Sequence, residues 1–343
     1  MIEKLDLNKR VLRIYKEAVI VDMCESFTRV TEENVAYFKT LADAGVTAVQ
    51  ATVPKIEADL KTAISNIAKF YKIVERSEYA TIVYNATELE SAKSKGKVAI
   101  VMGMQNSVPF ERDLDLIRIF AMLGIKVMQI AYSEQNYLGA GCVEQVDHGL
   151  TDLGKKAVKE MNRLGILIDA SHCGDITTKD IIKTSIDPIV FTHTTPAALV
   201  DIPRAKDDET IKILAKNGGI IGQAIYTSFC EKKNKLGIKP TIADFVDIVD
   251  YLVKLVGIDH VGLGSDVSLF NTKQTFDAFW AKYPDLIYPH KPPLFGEEYV
   301  KGFNDVKDIK KIIKELLTRG YSDNEAKKIL GGNWLKLMKK VWK

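Results

Sequence analysis

The sequence is poor in the features that would staple the chain or anchor it in a membrane. It has four cysteines that lie far apart and form no CxxC pair, so it predicts free thiols and excludes a disulfide scaffold. No stretch approaches ~18 uninterrupted apolar residues, so no membrane-spanning helix is predicted. Residues 1–22 mix charges with apolar side chains and lack the apolar core of a signal peptide. We therefore expect a cytoplasmic protein.

An excess of one charge is also missing. The 343 residues include 48 Lys and Arg against 45 Asp and Glu, a net charge of +3. This balance excludes the basic surface of a nucleic-acid-binding or membrane-surface protein. With 46% hydrophobic and 27% charged residues, the chain has the composition of an ordinary globular protein.

A regular alternation of two patterns runs along the chain. Amphipathic segments typical of helices alternate with short β-branched runs, most of them near-continuously apolar, as parallel strands covered on both faces are. The predicted strands are 18–22, 47–53, 98–104, 127–132, 166–172, 189–193, 219–225 and 260–266, and the predicted helices are 33–44, 58–76, 113–123, 152–164 and 208–216. Eight strands alternating with helices predict a (β/α)₈ TIM barrel. An open doubly wound sheet is the alternative, but no GxGxxG follows the first strand.

The end of the chain differs from this alternation. Residues 269–302 resemble a loop that is long for a compact domain, which suggests a functional role or packing over the barrel mouth. Residues 306–343 resemble two or three helices broken at Gly331, Gly332 and Asn333. We expect a single domain over residues 1–343, in which about 303–343 form a C-terminal helical extension.

Polar side chains close several of the predicted strands. His172 ends the fifth strand, His193 ends the sixth and Asp266 ends the eighth. Catalytic groups of a barrel converge at these C-terminal strand ends. Adjacent parallel strands lie ~4.8 Å apart, so the two imidazoles can share one metal ion, with Asp266 as a ligand or proton carrier. The alternative is structural: hydrogen-bonded histidines and an aspartate that caps the following loop.

The end of the first strand adds a thiol to this group. Asp22, Cys24 and Ser26 alternate to one side of an extended strand, so Glu25 is expected to face away. A lone cysteine is otherwise a small buried hydrophobe. Its place at a strand end makes Cys24 a candidate site residue.

Seven motifs carry a family resemblance over about residues 18–338. They are GIKVMQIAYSEQN (124–136), DHGLTDLG (147–154), MNRLGILIDASHC (161–173), FTHTTPA (191–197), IPRAKDD (202–208), GIDHVGLGSD (257–266) and LGGNWL (330–335). In this order they resemble the renal or membrane dipeptidase family of zinc peptidases, within the amidohydrolase-like barrels.

The resemblance implies a (β/α)₈ barrel that holds two zinc ions, hydrolyses dipeptides and forms a homodimer. Zinc would polarise the substrate carbonyl and lower the pKa of a water. By motif, His172 and His193 match ligands of the second metal, and Asp266 matches the acidic residue that handles the proton. Arg204 matches the arginine that holds the substrate's C-terminal carboxylate. Tyr132 stands where some members place a carbonyl-polarising histidine, and a phenol can also donate a hydrogen bond.

Three positions depart from the family pattern. Cys24 and Ser26 stand where the first strand of the family has a histidine and an aspartate, and Gln105 stands in place of the bridging glutamate. An amide and a hydroxyl are poor zinc ligands, and two dications without those carboxylates would repel each other. Gln105 keeps hydrogen-bonding capacity and is predicted to contact substrate.

Two hypotheses follow. The first is a hydrolase with one zinc ion held by His172, His193 and a Cys24 thiolate, with Asp266 as fourth ligand or general base. Its substrate would be a dipeptide or a related small amide that carries a carboxylate. The alternative is a metal-free, non-peptidase relative that binds or transforms a different small ligand in the barrel mouth.

Overall fold

The strands form one parallel sheet that closes on itself. The computed structural model describes residues 2–27, 30–54, 56–268 and 299–342. The strands are β1 Val21–Ser26, β2 Ala48–Thr52, β3 Ala80–Ile82, β4 Val98–Met104, β5 Ile125–Gln129, β6 Leu167–Asp169, β7 Val190–Thr194, β8 Ile220–Gln223, β9 Val261–Leu263 and β10 Val267–Ser268. Their order is β10-β1-β2-β4-β5-β6-β7-β8-β9. Strands β9 and β10 are two parts of one stretch of chain. This stretch pairs with β8 at its start and with β1 at its end, which closes the ring. The predicted (β/α)₈ barrel is confirmed.

Several strands differ from their predicted bounds. Strand β6 ends at Asp169, so His172 follows the strand by three residues and does not end it as predicted. Two further differences change the form of the sheet. The first strand runs from Val21 to Ser26 rather than over 18–22, because it continues through the polar residues at the barrel mouth. The short β3 was not predicted. It pairs with the first half of β4, whose second half pairs with β5. The sheet is therefore wider than the ring at this point.

The helices follow the strands around the barrel. They are α1 Ile2–Glu17, α2 Glu33–Asp43, α3 Leu60–Glu75, α4 Ala86–Ser94, α5 Asp115–Met122, α6 Asp152–Arg163, α7 Asp175–Thr184, α8 Asp208–Lys216, α9 Thr227–Cys230, α10 Ile242–Val256, α11 Ile309–Thr318, α12 Asp323–Lys327 and α13 Asn333–Val341. All five helices predicted within the alternation are present. Side-chain caps begin several of them: Thr151 accepts from the Gly154 N–H and Asp207 from the Thr210 N–H. Gly165 follows α6 at a φ of 65°, a left-handed stop that glycine adopts without strain.

The C-terminal helices cover the end of the barrel opposite the predicted site. The Trp334 indole donates to Leu263 O at 3.0 Å and the Asn333 amide to Val261 O at 2.9 Å. Gly262 makes room for the indole, since a Cβ there would lie 2.3 Å from its nitrogen. Side chains at the strand starts and from α13 share one apolar cluster. This packing leaves the C-terminal strand ends as the barrel mouth.

The predicted break in the tail is also present. A π-turn over Lys328–Gly332 separates α12 from α13, and Gly331 inside it has a non-helical backbone. Of the predicted loop, 269–298 lies outside the described residues. The single-domain organisation, with an extension from about residue 303, stays a prediction. Within the described ranges, no helix combines the length and apolar character that crossing a membrane requires.

Candidate metal centre

A β-bulge in β1 brings Cys24 into the barrel mouth. Asp22 pairs with Val49 of β2 and Glu25 with Ala51, so β1 uses three steps where β2 uses two. The strict alternation predicted for Asp22, Cys24 and Ser26 is therefore wrong, because the bulge adds one residue and changes the side to which later residues point. Glu25 faces away from the mouth as expected.

The Glu25 carboxyl group lies beside the Tyr37 hydroxyl of α2. It is buried, and burial raises its pKa well above the usual range. The group is thus held in the packing between β1 and α2.

Asp22 ties the two ends of the barrel ring together. Its Oδ1 accepts from Cys24 N at 3.2 Å and from Ser265 N at 2.8 Å, while the Ser265 hydroxyl donates to Oδ2. These bonds hold the segment between β9 and β10 against β1. In that segment Asp266 has a φ of 62°, a conformation uncommon for a residue other than glycine. The bonds and this backbone place Asp266 against Cys24.

The Cys24 sulfur is the centre of a small polar cluster. It lies 3.3 Å from Asp266 Oδ1, to which it donates, and the Gln105 amide donates to it at 3.1 Å. Donor atoms of Cys24, His193 and Asp266 all lie within 4.8 Å of one another. The structure therefore brings together a thiol, an imidazole and a carboxylate from three strand ends.

The two predicted histidines face each other at the same mouth. The Nε2 atoms of His172 and His193 are 3.1 Å apart. Each Nδ1 is held from behind by a hydroxyl: Ser133 Oγ lies 3.0 Å from His172 Nδ1, and Thr192 Oγ1 lies 2.7 Å from His193 Nδ1. Both rings consequently turn Nε2 toward the mouth.

A second buried aspartate supports the histidine side. Asp169 ends β6, and its Oδ1 accepts from Ser171 N at 2.9 Å and Ser171 Oγ at 2.6 Å. Thr192 donates its N–H to Oδ1 at 3.1 Å and its hydroxyl to Oδ2 at 2.6 Å. Asp169 thereby fixes the two strand ends that carry the histidines.

Burial sets the charges of these groups. Burial, followed by the nearby Arg204 charge, holds the pKa of His172 and His193 well below the usual range, which favours the neutral form that binds metals. Burial raises the pKa of Asp266 to about 6 against the pull of Arg204. Burial and the neighbouring Asp266 raise the pKa of the Cys24 thiol well above its usual value. A bound cation would favour the thiolate.

Tyr132 and Arg204 line the histidine side. The Tyr132 ring stacks on His172 with centroids 3.8 Å apart. Arg204 is 2% exposed, and its guanidinium donates to His193 O at 3.0 Å and lies 5.4 Å from the Phe229 ring. Both are near the donor cluster, and their roles toward a substrate stay predictions.

The residues that orient this site were not predicted to have that role. They are Asp22, Ser133, Asp169, Thr192 and Ser265, each of which contacts a candidate ligand or the segment that carries it. A usable signal was present for two of them. Asp22 and Asp169 each stand two residues before a polar residue at a strand end, the spacing at which an aspartate side chain accepts from the backbone N–H of the residue two positions later.

Fold and site together define a class: a parallel barrel with imidazole, thiol and carboxylate groups converging at its C-terminal mouth. The family model described as Membrane dipeptidase (Peptidase family M19) matches residues 10–288 and 294–343. The chain belongs to this family, and the predicted resemblance is confirmed.

Individual relatives agree with this assignment. The chain is 27% identical over 287 residues to Dipeptidase tcpJ of Claviceps purpurea, covering 83% of this chain and 61% of the relative. It is 26% identical over 263 residues to Dipeptidase 3 of Homo sapiens, covering 75% of this chain and 48% of the relative. The chain thus spans about half to two thirds of the length of these relatives.

Solved structures share the fold over nearly the whole chain. An amidohydrolase from Pseudomonas aeruginosa is 28% identical with a TM-score of 0.87, covering 97% of this chain and 99% of that one. A metallo peptidase from Rhodobacter sphaeroides liganded with a phosphinate mimic of the dipeptide L-Ala-D-Ala is 19% identical with a TM-score of 0.77, covering 95% and 100%. The barrel and its additions therefore form a shared architecture.

Proposed function

We propose that the protein is a hydrolase of a dipeptide, or of a related small amide that carries a carboxylate, and that it uses one zinc ion. The observation that carries this proposal is the donor cluster of Cys24, His193 and Asp266, with His172 in contact with His193. Thiolate, neutral imidazole and carboxylate are the ligands that zinc takes in proteins. The residues present therefore fit the ion.

The residues at the positions of the family's first metal ion support the proposal of a single ion. Gln105, in place of the bridging glutamate, directs its amide N–H to the Cys24 sulfur. A donating amide does not bind a cation, and Ser26 brings no charge either. Two negative charges that would offset a second dication are thus absent from these two positions.

The neighbouring residues divide the remaining tasks. Zinc would polarise the scissile carbonyl and lower the pKa of the attacking water. Asp266 Oδ1 already accepts a hydrogen bond from the Cys24 thiol, so it is placed to hold a proton beside the ligands. Tyr132, stacked on His172, would donate a hydrogen bond from its hydroxyl to the carbonyl oxygen of the substrate. Gln105 would contact the substrate's amide group.

A substrate carboxylate is supported by the charge of Arg204. This guanidinium lies close enough to lower the pKa of Asp266 and of both histidines. Its field favours an anionic group at the mouth. Relatives named dipeptidases support a dipeptide as that substrate.

Elemental mass spectrometry of the purified protein tests the metal proposal. We expect about one zinc per chain, lost in Cys24→Ala and in His172→Ala. Cys230→Ala is the matched control, because that thiol is also buried but contacts Ala224 O instead of the cluster. About two zinc ions, or none after zinc is added back, would contradict it. If about one zinc is bound, dipeptides, N-acyl amino acids and cyclic amides are screened as substrates of the loaded protein.

A second candidate function is favoured by the hydrogen bonds of the same cluster. Gln105 donates to Cys24 and Cys24 donates to Asp266, so the three groups satisfy one another without a cation. A metal-free relative that binds a different small ligand would keep this arrangement. Retention of zinc through dialysis against a chelator would eliminate it.

We also propose a homodimer, from the family resemblance, and a cytoplasmic location, from the unpaired cysteines of the sequence. Light scattering coupled to gel filtration measures its mass directly. A monomer at micromolar concentration would contradict the dimer.

A further inference from the structure

We infer that Asp169 and Thr192 are positioning residues that preset His193 as the standing metal ligand, whereas His172 must move its ring proton from Nε2 to Nδ1 when metal binds. The second half of this inference rests on the proposed function. The first half concerns the protein without metal and stands on hydrogen-bond geometry alone.

Asp169 is held as a hydrogen-bond acceptor. Its two oxygens face four donors, the N–H and hydroxyl groups of Ser171 and of Thr192, at 2.6–3.1 Å. An ionised carboxylate only accepts hydrogen bonds, so all four contacts are satisfied by that form. A protonated Asp169 would turn one of these contacts into a meeting of two donors or reverse its direction.

The Thr192 hydroxyl transmits this polarity to His193. A hydroxyl has one proton, and the 2.6 Å contact to Asp169 Oδ2 takes it. The Ser171 hydroxyl also lies 3.3 Å away, but its proton goes to Asp169 Oδ1. The 2.7 Å contact of Thr192 to His193 Nδ1 must then be donated by the ring. A neutral imidazole with its proton on Nδ1 carries a lone pair on Nε2. His193 therefore presents a metal-binding nitrogen to the mouth before any metal arrives.

His172 is in a different position. Its Nε2 lies 3.1 Å from His193 Nε2, and two lone pairs at that distance would repel. Without metal, His172 therefore carries its proton on Nε2 and donates it to His193. Its Nδ1 then accepts from Ser133, 3.0 Å away.

Metal binding reverses the polarity of the His172 contacts. To bind a metal through Nε2, His172 must give up that proton and carry one on Nδ1 instead, which leaves the neutral ring with the same number of protons. The Ser133 hydroxyl then accepts rather than donates, and a hydroxyl can do either. His193 cannot change its tautomer in this way, because the Thr192 hydroxyl donates its proton to Asp169 and can only accept from His193 Nδ1.

The test is ¹⁵N NMR of histidine-labelled protein, first without metal and then with zinc. We expect His193 as the Nδ1–H tautomer in both states. His172 should change from Nε2–H to Nδ1–H on zinc addition. His193 as the Nε2–H tautomer in the metal-free protein would overturn the inference.

Variants separate positioning from general stability. Thr192→Val removes the hydroxyl at nearly constant volume, and we expect zinc affinity to fall by about 10- to 100-fold, as for other groups that orient a ligand. Thr192→Ser keeps the hydroxyl and should restore both affinity and tautomer. Thr195→Val is the matched control, because its hydroxyl donates to Phe229 O outside the chain of contacts from Asp169 to His193.

Equal zinc affinity in Thr192→Val and Thr192→Ser would contradict the positioning role. A protein that binds no zinc would contradict the proposed function, but its metal-free spectrum would still decide the tautomer of His193. The two failures are thus distinguishable.

Discussion

The two sides of the barrel mouth are built with the same device and carry different ligands. At β6 and β7, Asp169 accepts a hydrogen bond from Ser171, two residues later at the same strand end, and another from Thr192 on the neighbouring strand. At β1 and β10, Asp22 accepts a hydrogen bond from Cys24 of the same strand and another from Ser265, in the segment that precedes the neighbouring strand β10. In both places a buried carboxylate joins two strand ends.

The ligands carried on these supports differ in their chemistry. The β6–β7 side presents two imidazoles, which the sequence motifs predict to be metal ligands. The β1 side presents a thiol, with Gln105 beside it, where the family pattern has an imidazole and carboxylates. The two sides thus share one kind of hydrogen-bonded support, although the side chains that they carry differ.

The largest expected effect comes from removing His193, the histidine whose tautomer we infer to be fixed before metal binds. In His193→Ala, zinc affinity should fall by more than the roughly 100-fold that the loss of an orienting group costs, and hydrolysis should disappear with it. His260→Ala is the control, since its ring bonds Gly219 O at the opposite end of the barrel. Competition titration with a chromogenic chelator measures the zinc affinity of both variants, and an assay of hydrolysis measures their activity. Unchanged zinc affinity in His193→Ala would remove the β6–β7 side from the metal site.

The next prediction restores the β1 side to the family pattern. The combined change Cys24→His, Ser26→Asp and Gln105→Glu should raise the zinc content from about one ion to about two. The reason is the return of two negative charges and an imidazole. A control with Cys24→His, Ser26→Asn and Gln105 unchanged supplies the ring without the charges, and it should stay at about one ion. If the restored protein also holds one ion, the difference between the sides is not one of ligand charge.

A smaller effect should separate the two supports by stability. Asp169→Ala strands four donors and Asp22→Ala three, so each should lower the free energy of unfolding by about 2–3 kcal/mol, with Asp169→Ala the larger. Urea denaturation measures this. Asp43→Ala, which breaks an exposed ion pair with Lys39, should cost less than about 1 kcal/mol. Equal values for all three variants would contradict the supporting role.

The smallest effect is expected at Tyr132. Tyr132→Phe keeps the ring stacked on His172 and removes one hydrogen bond to the reacting carbonyl. The specificity constant should fall by about tenfold, the worth of one such bond, while zinc content stays the same. Steady-state kinetics and metal analysis on one preparation provide both values. A loss of zinc would show instead that Tyr132 holds His172 in place.

Much of the fold could be predicted from the sequence because its strands are apolar runs of the right length and number. Other elements escaped for physical reasons. Helix α7 is rich in threonine and isoleucine, and α10 is rich in valine and isoleucine; these β-branched residues have modest helix propensity. The three residues of β3 were too few to form a pattern.

The site was predictable where chemistry coincides with a strand end. His172, His193 and Asp266 were identified in this way. The structure places His193 and Asp266 in one donor cluster with Cys24, and His172 against His193. The bulge in β1 was not predictable, because a single extra residue leaves no mark in the pattern. The partners of Asp22 and Asp169 depend on contacts across strands, which a linear sequence does not show.

The contact between Cys24 and Asp266 also determines when the site can form. The two residues are 242 positions apart in the chain, one at the first strand of the ring and the other at the last. Bringing them together costs on the order of 5 kcal/mol of chain entropy, which only the closed barrel offsets. A nascent chain still on the ribosome therefore has its first strand made long before its last, and the Cys24 thiol is open to oxidants in the meantime. Folding yield should consequently depend on a reducing environment, even though the finished barrel hides that sulfur completely.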